Sequence, residues 1–167
     1  PVFAVVDDSR KIAASSVVLF DFDGVLFKGD AFTTFLREHC RRQWWRVAIA
    51  APLLLFAAPF ALVRKTRRRA LRFFVHLALV GIPLPRYRRL ARDFGAALAC
   101  DARRFSRPAL ETLNAHRHRG ARVIVVTGCE ETLARAMLDG LGLADIELVA
   151  SRCEAGRLGP RIKVHNV

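Results

Sequence analysis

Paired cysteines are missing from this chain. Cys40, Cys100, Cys129 and Cys153 show no Cys-x-x-Cys or zinc-like spacing, which leaves no disulfide or zinc framework and reads as free thiols in a reducing compartment. Acids are scarce as well: 15 Asp and Glu stand against 28 Lys and Arg, for a formal charge of +13. Lysine contributes little to that excess, and arginine, which contacts phosphate oxygens in bidentate fashion, supplies nearly all of it. No secretory signal is visible, since the first long apolar run holds two aspartates and no cleavage signature.

What is present centres on residues 17–24, Val-Val-Leu-Phe-Asp-Phe-Asp-Gly. Four apolar residues, two of them β-branched, predict a buried strand, and Gly24 allows the sharp exit at its end. Asp21 and Asp23 then stand at the carboxyl edge of a sheet, where open α/β folds build their sites. A carboxylate attacking an anionic phosphate needs a metal and nearby donors to offset repulsion, and a second carboxyl two residues on can protonate a leaving alkoxide. The plainer reading of Asp-x-Asp-Gly is turn chemistry.

Further along, Ala121–Val126 predicts a second strand, ending in Thr127-Gly128-Cys129-Glu130, and a helix from Glu130 to Leu138 follows and ends at Gly140. That places Thr127 and the Gly128 amide at a helix N-terminus, where an anion is held. Cys129 reads as wall, because the acids after it disfavour a thiolate. Ile146–Ala150 predicts a third strand, and the tail 151–167 a hairpin. Asp30 and Ser106 predict helix caps, the second followed by Pro108 in a first turn, and Leu90–Ala102 reads as an amphipathic helix. His39 belongs to a buried helix face, and His116 and His118, two apart, face different ways and read as solvated.

The stretch Asp21-Phe-Asp-Gly-Val25 resembles the first motif of the haloacid-dehalogenase-like phosphatases, and Thr127 after its β-branched strand resembles their second. The resemblance implies Asp21 as nucleophile through an aspartyl-phosphate and Asp23 as general acid and then base. It also implies Thr127 and Gly128 as phosphate ligands, with Mg²⁺ held by Asp21 and the backbone carbonyl of Asp23. The family's third motif is a lysine opening a helix. Lys163 lies in an extended Arg-Ile-Lys-Val stretch, so the true lysine is expected beyond Val167, along with the fourth motif's acidic pair. The implied fold is α/β: a Rossmann-like three-layer core from 1–27 and 106–167, truncated at the C-terminus, with a helical cap over 28–105 inserted in the type I position.

The cap is unlike a soluble one. Residues 47–63 carry no charge but hold Pro52 and Pro59, with Trp44 and Trp45 before them as aromatics stand at membrane interfaces. A straight helix of that length is about 25 Å, short for a bilayer core of about 30 Å. Basic clusters on both sides oppose a simple span, and the prolines permit a bent hairpin that enters and returns. From 37 to 89, Glu38 is the one acid. Arginines alternating with long uncharged runs fit an anionic lipid surface better than nucleic acid, which calls for interleaved aromatics. This cap resembles that of the phosphatidylglycerophosphatase C branch, near the phosphoserine-phosphatase-like group. The expectation is therefore a Mg²⁺-dependent phosphatase acting on an anionic phospholipid at the cytoplasmic face of the cell membrane. The alternatives are a soluble cytoplasmic enzyme for a small phosphomonoester and a non-catalytic fragment that binds membrane or anions.

Overall fold

The computed structural model describes residues 16–45, 48, 51, 52, 55, 67–156 and 159–163. The leader through residue 15, most of the apolar run 47–63, residues 64–66 and the tail beyond 163 lie outside the described residues, and with them the expected re-entrant hairpin.

Strand β1 (Val17–Asp21) leads to helix α1 (Ala31–Arg42). Helices α2 (Arg67–Leu79), α3 (Leu84–Ala99) and α4 (Arg107–His118) follow. Strand β2 (Arg122–Glu130), helix α5 (Glu131–Gly140), strand β3 (Glu147–Gly156) and strand β4 (Gly159–Lys163) complete the order. The sheet runs β1-β2-β3-β4, parallel across the first three strands, with β4 returning antiparallel as the expected hairpin. This is the mixed α/β, Rossmann-like core that the sequence predicts. Lys163 is the last residue of β4, within a strand and not at the start of a helix.

Local chemistry explains the helix boundaries. Asp30 caps α1, its carboxylate accepting from Thr33 N at 2.7 Å. Ser106 precedes α4 as expected, but its side chain makes no capping bond. There Pro108 spares one donor, and the Ser106 amide instead donates to Leu26 O at 2.9 Å. Helix α3 begins at Leu84, earlier than the pattern from Leu90 suggests, because extended Pro83 and first-turn Pro85 preset its start.

Both crossovers between parallel strands run the same way along the sheet, so right-handed connections put their helices on one face. The core shows this. Val123 and Val125 of β2 pack with Leu113 of α4 and with Leu133 and Met137 of α5, while Phe20 and Leu148 flank them. The opposite face carries Val17 and Leu19, 52% and 65% exposed. The expectation of a fully buried first strand is thus corrected, for among the described residues only one helical layer covers the sheet. The histidines of α4 divide as well. His118 is exposed, but His116 is half-buried against Phe20, with ring centroids 6.2 Å apart, rather than solvated.

His39 is buried against Phe35, which also meets Tyr87 and Phe94 of α3 edge-on at 5.9 and 5.5 Å. Helix α3 in turn lies along α5 at very close range. A Cβ on Gly95 would stand 2.8 Å from both Ala136 Cβ and the Leu133 carbonyl oxygen. Among the described residues no helix is long and apolar enough to cross a membrane.

The α3–α5 contact yields a stability prediction. Gly95→Leu gains helix propensity worth under about 1 kcal/mol but overpacks against backbone, at a cost of about 1–3 kcal/mol or more. The variant is expected to unfold several degrees below wild type in a thermal melt. An unchanged Tm would show that the two helices part freely.

Candidate active site

The site forms where β1 ends. The Phe22 amide prolongs the ladder to Val126 O at 3.1 Å, and the chain then turns through Gly24, whose φ of +83° lies in the left-handed region. The turn closes on itself: Gly24 N donates to Phe27 O and Phe27 N to Phe22 O, both at 2.8 Å. Phe27 stacks on buried Phe22 and meets Phe105 edge-on at 5.5 Å. Lys28 N donates to Arg104 O at 2.7 Å, so the outgoing and returning passages between the sheet and the inserted helices are pinned together.

That turn aims the Asp23 carboxylate. Its Oδ1 accepts from the Ala31 amide at the start of α1, 2.9 Å away, and its Oδ2 accepts from Thr127 Oγ1 at 2.7 Å. Thr127 Oγ1 accepts in turn from Cys129 N at 2.9 Å. The structure therefore brings together Asp23 and Thr127, residues 104 apart in sequence. Asp21 is exposed at the last position of β1, opposite Val126 in register, and Gly128 is exposed beside Thr127.

Burial raises the Asp23 carboxyl above its ordinary range. The bonds from Ala31 and Thr127 pull it down, and the charges of Asp30 and Asp21 push it further up. Cys129 is buried and its thiol is driven up, chiefly by burial and then by Asp23, in keeping with a wall rather than a nucleophile.

One expected feature is placed differently. Thr127 and Gly128 do not stand at the N-terminus of α5. Strand β2 runs on to Glu130, whose buried carboxylate caps the helix by accepting from Leu133 N at 3.2 Å and Thr132 Oγ1 at 2.9 Å. An acidic cap fills that position, so an anion at Thr127 relies on the turn and not on the helix end. Sequence reasoning also missed Ser151, a buried residue of β3 that donates to Gly128 O at 2.9 Å.

A divalent ion fits this site in part. Both Asp23 side-chain oxygens already accept from protein donors, so of the two aspartate side chains the exposed Asp21 carboxylate is the one open to form a corner for Mg²⁺, with the Asp23 backbone carbonyl as the second ligand that the resemblance implies. Mg²⁺ suits such a corner, since it binds through one or two carboxylates and fills the rest with water and phosphate oxygens. Among the described residues no group of three or more His, Cys, Asp or Glu side chains could hold a metal.

Solved structures share this fold. A protein of unknown function from Bordetella pertussis Tohama I is 17% identical with a TM-score of 0.58, covering 89% of this chain and 66% of that one. Phosphoserine phosphatase from T. onnurineus, in complex with NDSB-201, is 21% identical with a TM-score of 0.51, covering 90% and 64%. A phospho-aspartyl intermediate analogue of phosphoserine phosphatase is also 21% identical, with a TM-score of 0.50, covering 90% and 63%. The chain thus spans 63–66% of the length of these structures, and at such identities the likeness is one of fold. No curated protein matches it. The model of the haloacid dehalogenase-like hydrolases matches residues 18–166, from β1 through both aspartates and Thr127 to the hairpin, and the chain belongs to that family.

Proposed function

We propose that these residues belong to a phosphate monoesterase working through an aspartyl-phosphate. The observation that carries this reading is the contrast between an exposed Asp21 and a half-buried, hydrogen-bonded Asp23 two residues on. An Asp21 oxygen attacks phosphorus, the phosphorus–oxygen bond to the alcohol breaks, and Asp23 gives its proton to the leaving oxygen. Water then attacks the aspartyl-phosphate, Asp23 takes the water's proton, and inorganic phosphate leaves with Asp21 restored. A carboxyl raised by burial suits that shuttle. Mg²⁺, when bound at Asp21, offsets the charge between carboxylate and phosphate.

The reading also needs a cation near the phosphate and a second acidic ligand, which we place in polypeptide outside these 167 residues. Its support is the single helical layer among the described residues and the greater length of the solved relatives. On this reading the 167-residue chain by itself is inactive.

For the substrate we propose an anionic phospholipid of the phosphatidylglycerophosphate type, met at the cytoplasmic face of the cell membrane. Trp44 and Trp45 are 70% and 55% exposed just beyond α1, and Arg37, Arg41, Arg42, Arg86, Arg88, Arg89 and Arg92 are exposed on α1 and α3. Arg41 and Arg42 share Glu38, whose carboxyl they hold down at about 2, so that pair of arginines offers one spare positive charge at neutral pH.

Asp21→Asn in the protein extended to its natural stop codon is expected to abolish phosphate release, since an amide cannot form the acyl-phosphate. Near-wild-type turnover in a clean preparation would remove Asp21 as nucleophile. Asp23→Asn is expected to keep substrate affinity and lose most turnover. It also carries a stability signature. A raised folded pKa means the native state holds the Asp23 proton more tightly than the unfolded chain does. The stability it adds is present at low pH and falls as pH rises from the ordinary 3.8 through the folded value. The Tm of metal-free wild type should therefore fall relative to Asp23→Asn over that interval, and parallel curves would contradict the raised carboxyl. In a flotation assay, vesicles containing phosphatidylglycerol should lift the protein and phosphatidylcholine vesicles should not. Indifference to both would move the substrate to a small soluble phosphomonoester.

A further inference from the structure

We infer that Ser151 is a positioning residue for phosphate binding, an inference that rests on the phosphatase reading above. Strands β2 and β3 fall out of step at this point: Val126 pairs with Val149 and Glu130 with Ser151, so Thr127, Gly128 and Cys129 face Ala150 alone. Residues thrown out of a ladder lose their regular partners, and a glycine among them is free to rotate. Here both ends of the Gly128–Cys129 peptide are tied. Its carbonyl accepts from Ser151 Oγ at 2.9 Å, and its N–H donates to Thr127 Oγ1 at 2.9 Å. The second bond uses the Thr127 oxygen as acceptor, so its single proton is fixed on the other side and is given to Asp23 Oδ2.

Ser151 therefore acts two steps from the ligand. It fixes the peptide, the peptide fixes the Thr127 hydroxyl, and on the phosphatase reading the one proton that Thr127 gives to Asp23 turns to an oxygen of bound phosphate. Without the serine, the Gly128 carbonyl seeks another donor and the peptide turns, drawing the Cys129 amide off Thr127. Neither Ser151 nor its peptide touches the reacting atoms, so the effect falls on anion affinity and on alignment. Ser151 is itself 2% exposed, which keeps water from replacing its hydroxyl.

The test is binding of inorganic phosphate to the full-length protein by titration calorimetry, together with kcat, KM and Tm. Ser151→Ala is expected to bind phosphate about tenfold more weakly, the worth of one such hydrogen bond. Ser151→Thr, which keeps the hydroxyl, is expected to stay near wild type. Should Ser151→Ala not fold, Ser151→Cys keeps the same shape in a somewhat larger side chain with a much weaker donor, and carries the same expectation. Wild-type phosphate affinity in a folded Ser151→Ala or Ser151→Cys overturns the inference. So does an equal loss in Ser151→Thr, since the hydroxyl would then be irrelevant. A wild-type protein with no phosphate affinity overturns the anion site itself and this inference with it, whereas unchanged variants against a binding wild type overturn the inference alone.

Discussion

The hydrogen bond from Thr127 to Asp23 joins the ends of β1 and β2, and the geometry of the site depends on it. It spans a loop of more than a hundred residues, so everything inserted between the strands has to leave both ends undisturbed. The paired passages at Phe27 and Phe105 meet that demand mechanically: two backbone bonds and three phenyl rings hold the exit and return together. A bond of this kind to a charged acceptor contributes about 1.5–3 kcal/mol, enough to fix one side chain but not to recruit an inserted module. The neck, rather than the contact, carries the load of the insertion.

The sheet poses a different constraint. Strand order and crossover hand together place both helical connections on one face, and no choice of side chains alters that. Val17 and Leu19 are then left outward on an edge strand without a described neighbour on its far side. An apolar edge of this sort pairs with other chains unless polypeptide covers it. The Arg122–Glu147 ion pair across the same face gives it a polar margin, but an exposed pair adds little stability.

These two constraints decide what could be read from the sequence. The placing of Asp21 and Asp23 at the end of a strand was legible because a short apolar run closed by a glycine marks a strand and its sharp exit. Thr127 was legible for the same reason, but its setting was not. The pattern around residue 127 suited a helix starting at Glu130, whereas Glu130 turned out to be a capping residue, and a cap and a first helical residue look alike in sequence. Ser151 left no signal, since one serine in a strand acquires meaning only from a register slip set by tertiary pairing. Gly95 was invisible for a related reason: a glycine inside a helix says that something is near, and only packing says it is Leu133 and Ala136. The exposure of β1 was misread because a continuous apolar run is the mark of a strand covered on both faces.

The two aspartates show how little separates two chemical roles. They are the same residue type, two positions apart, on one short segment, and composition gives no ground for distinguishing them. The turn at Gly24 does so by carrying Asp23 beneath the start of α1, where burial and the charges of Asp30 and Asp21 oppose its ionisation. Two donors hold it there without fully offsetting that burial. Asp21 remains on the strand, exposed and open to a cation or a phosphorus atom. A shared environment would give two competing bases. On the proposed phosphatase reading, divided surroundings give one group that attacks and one that holds a proton, and the division is made by one left-handed glycine and the closed turn behind it.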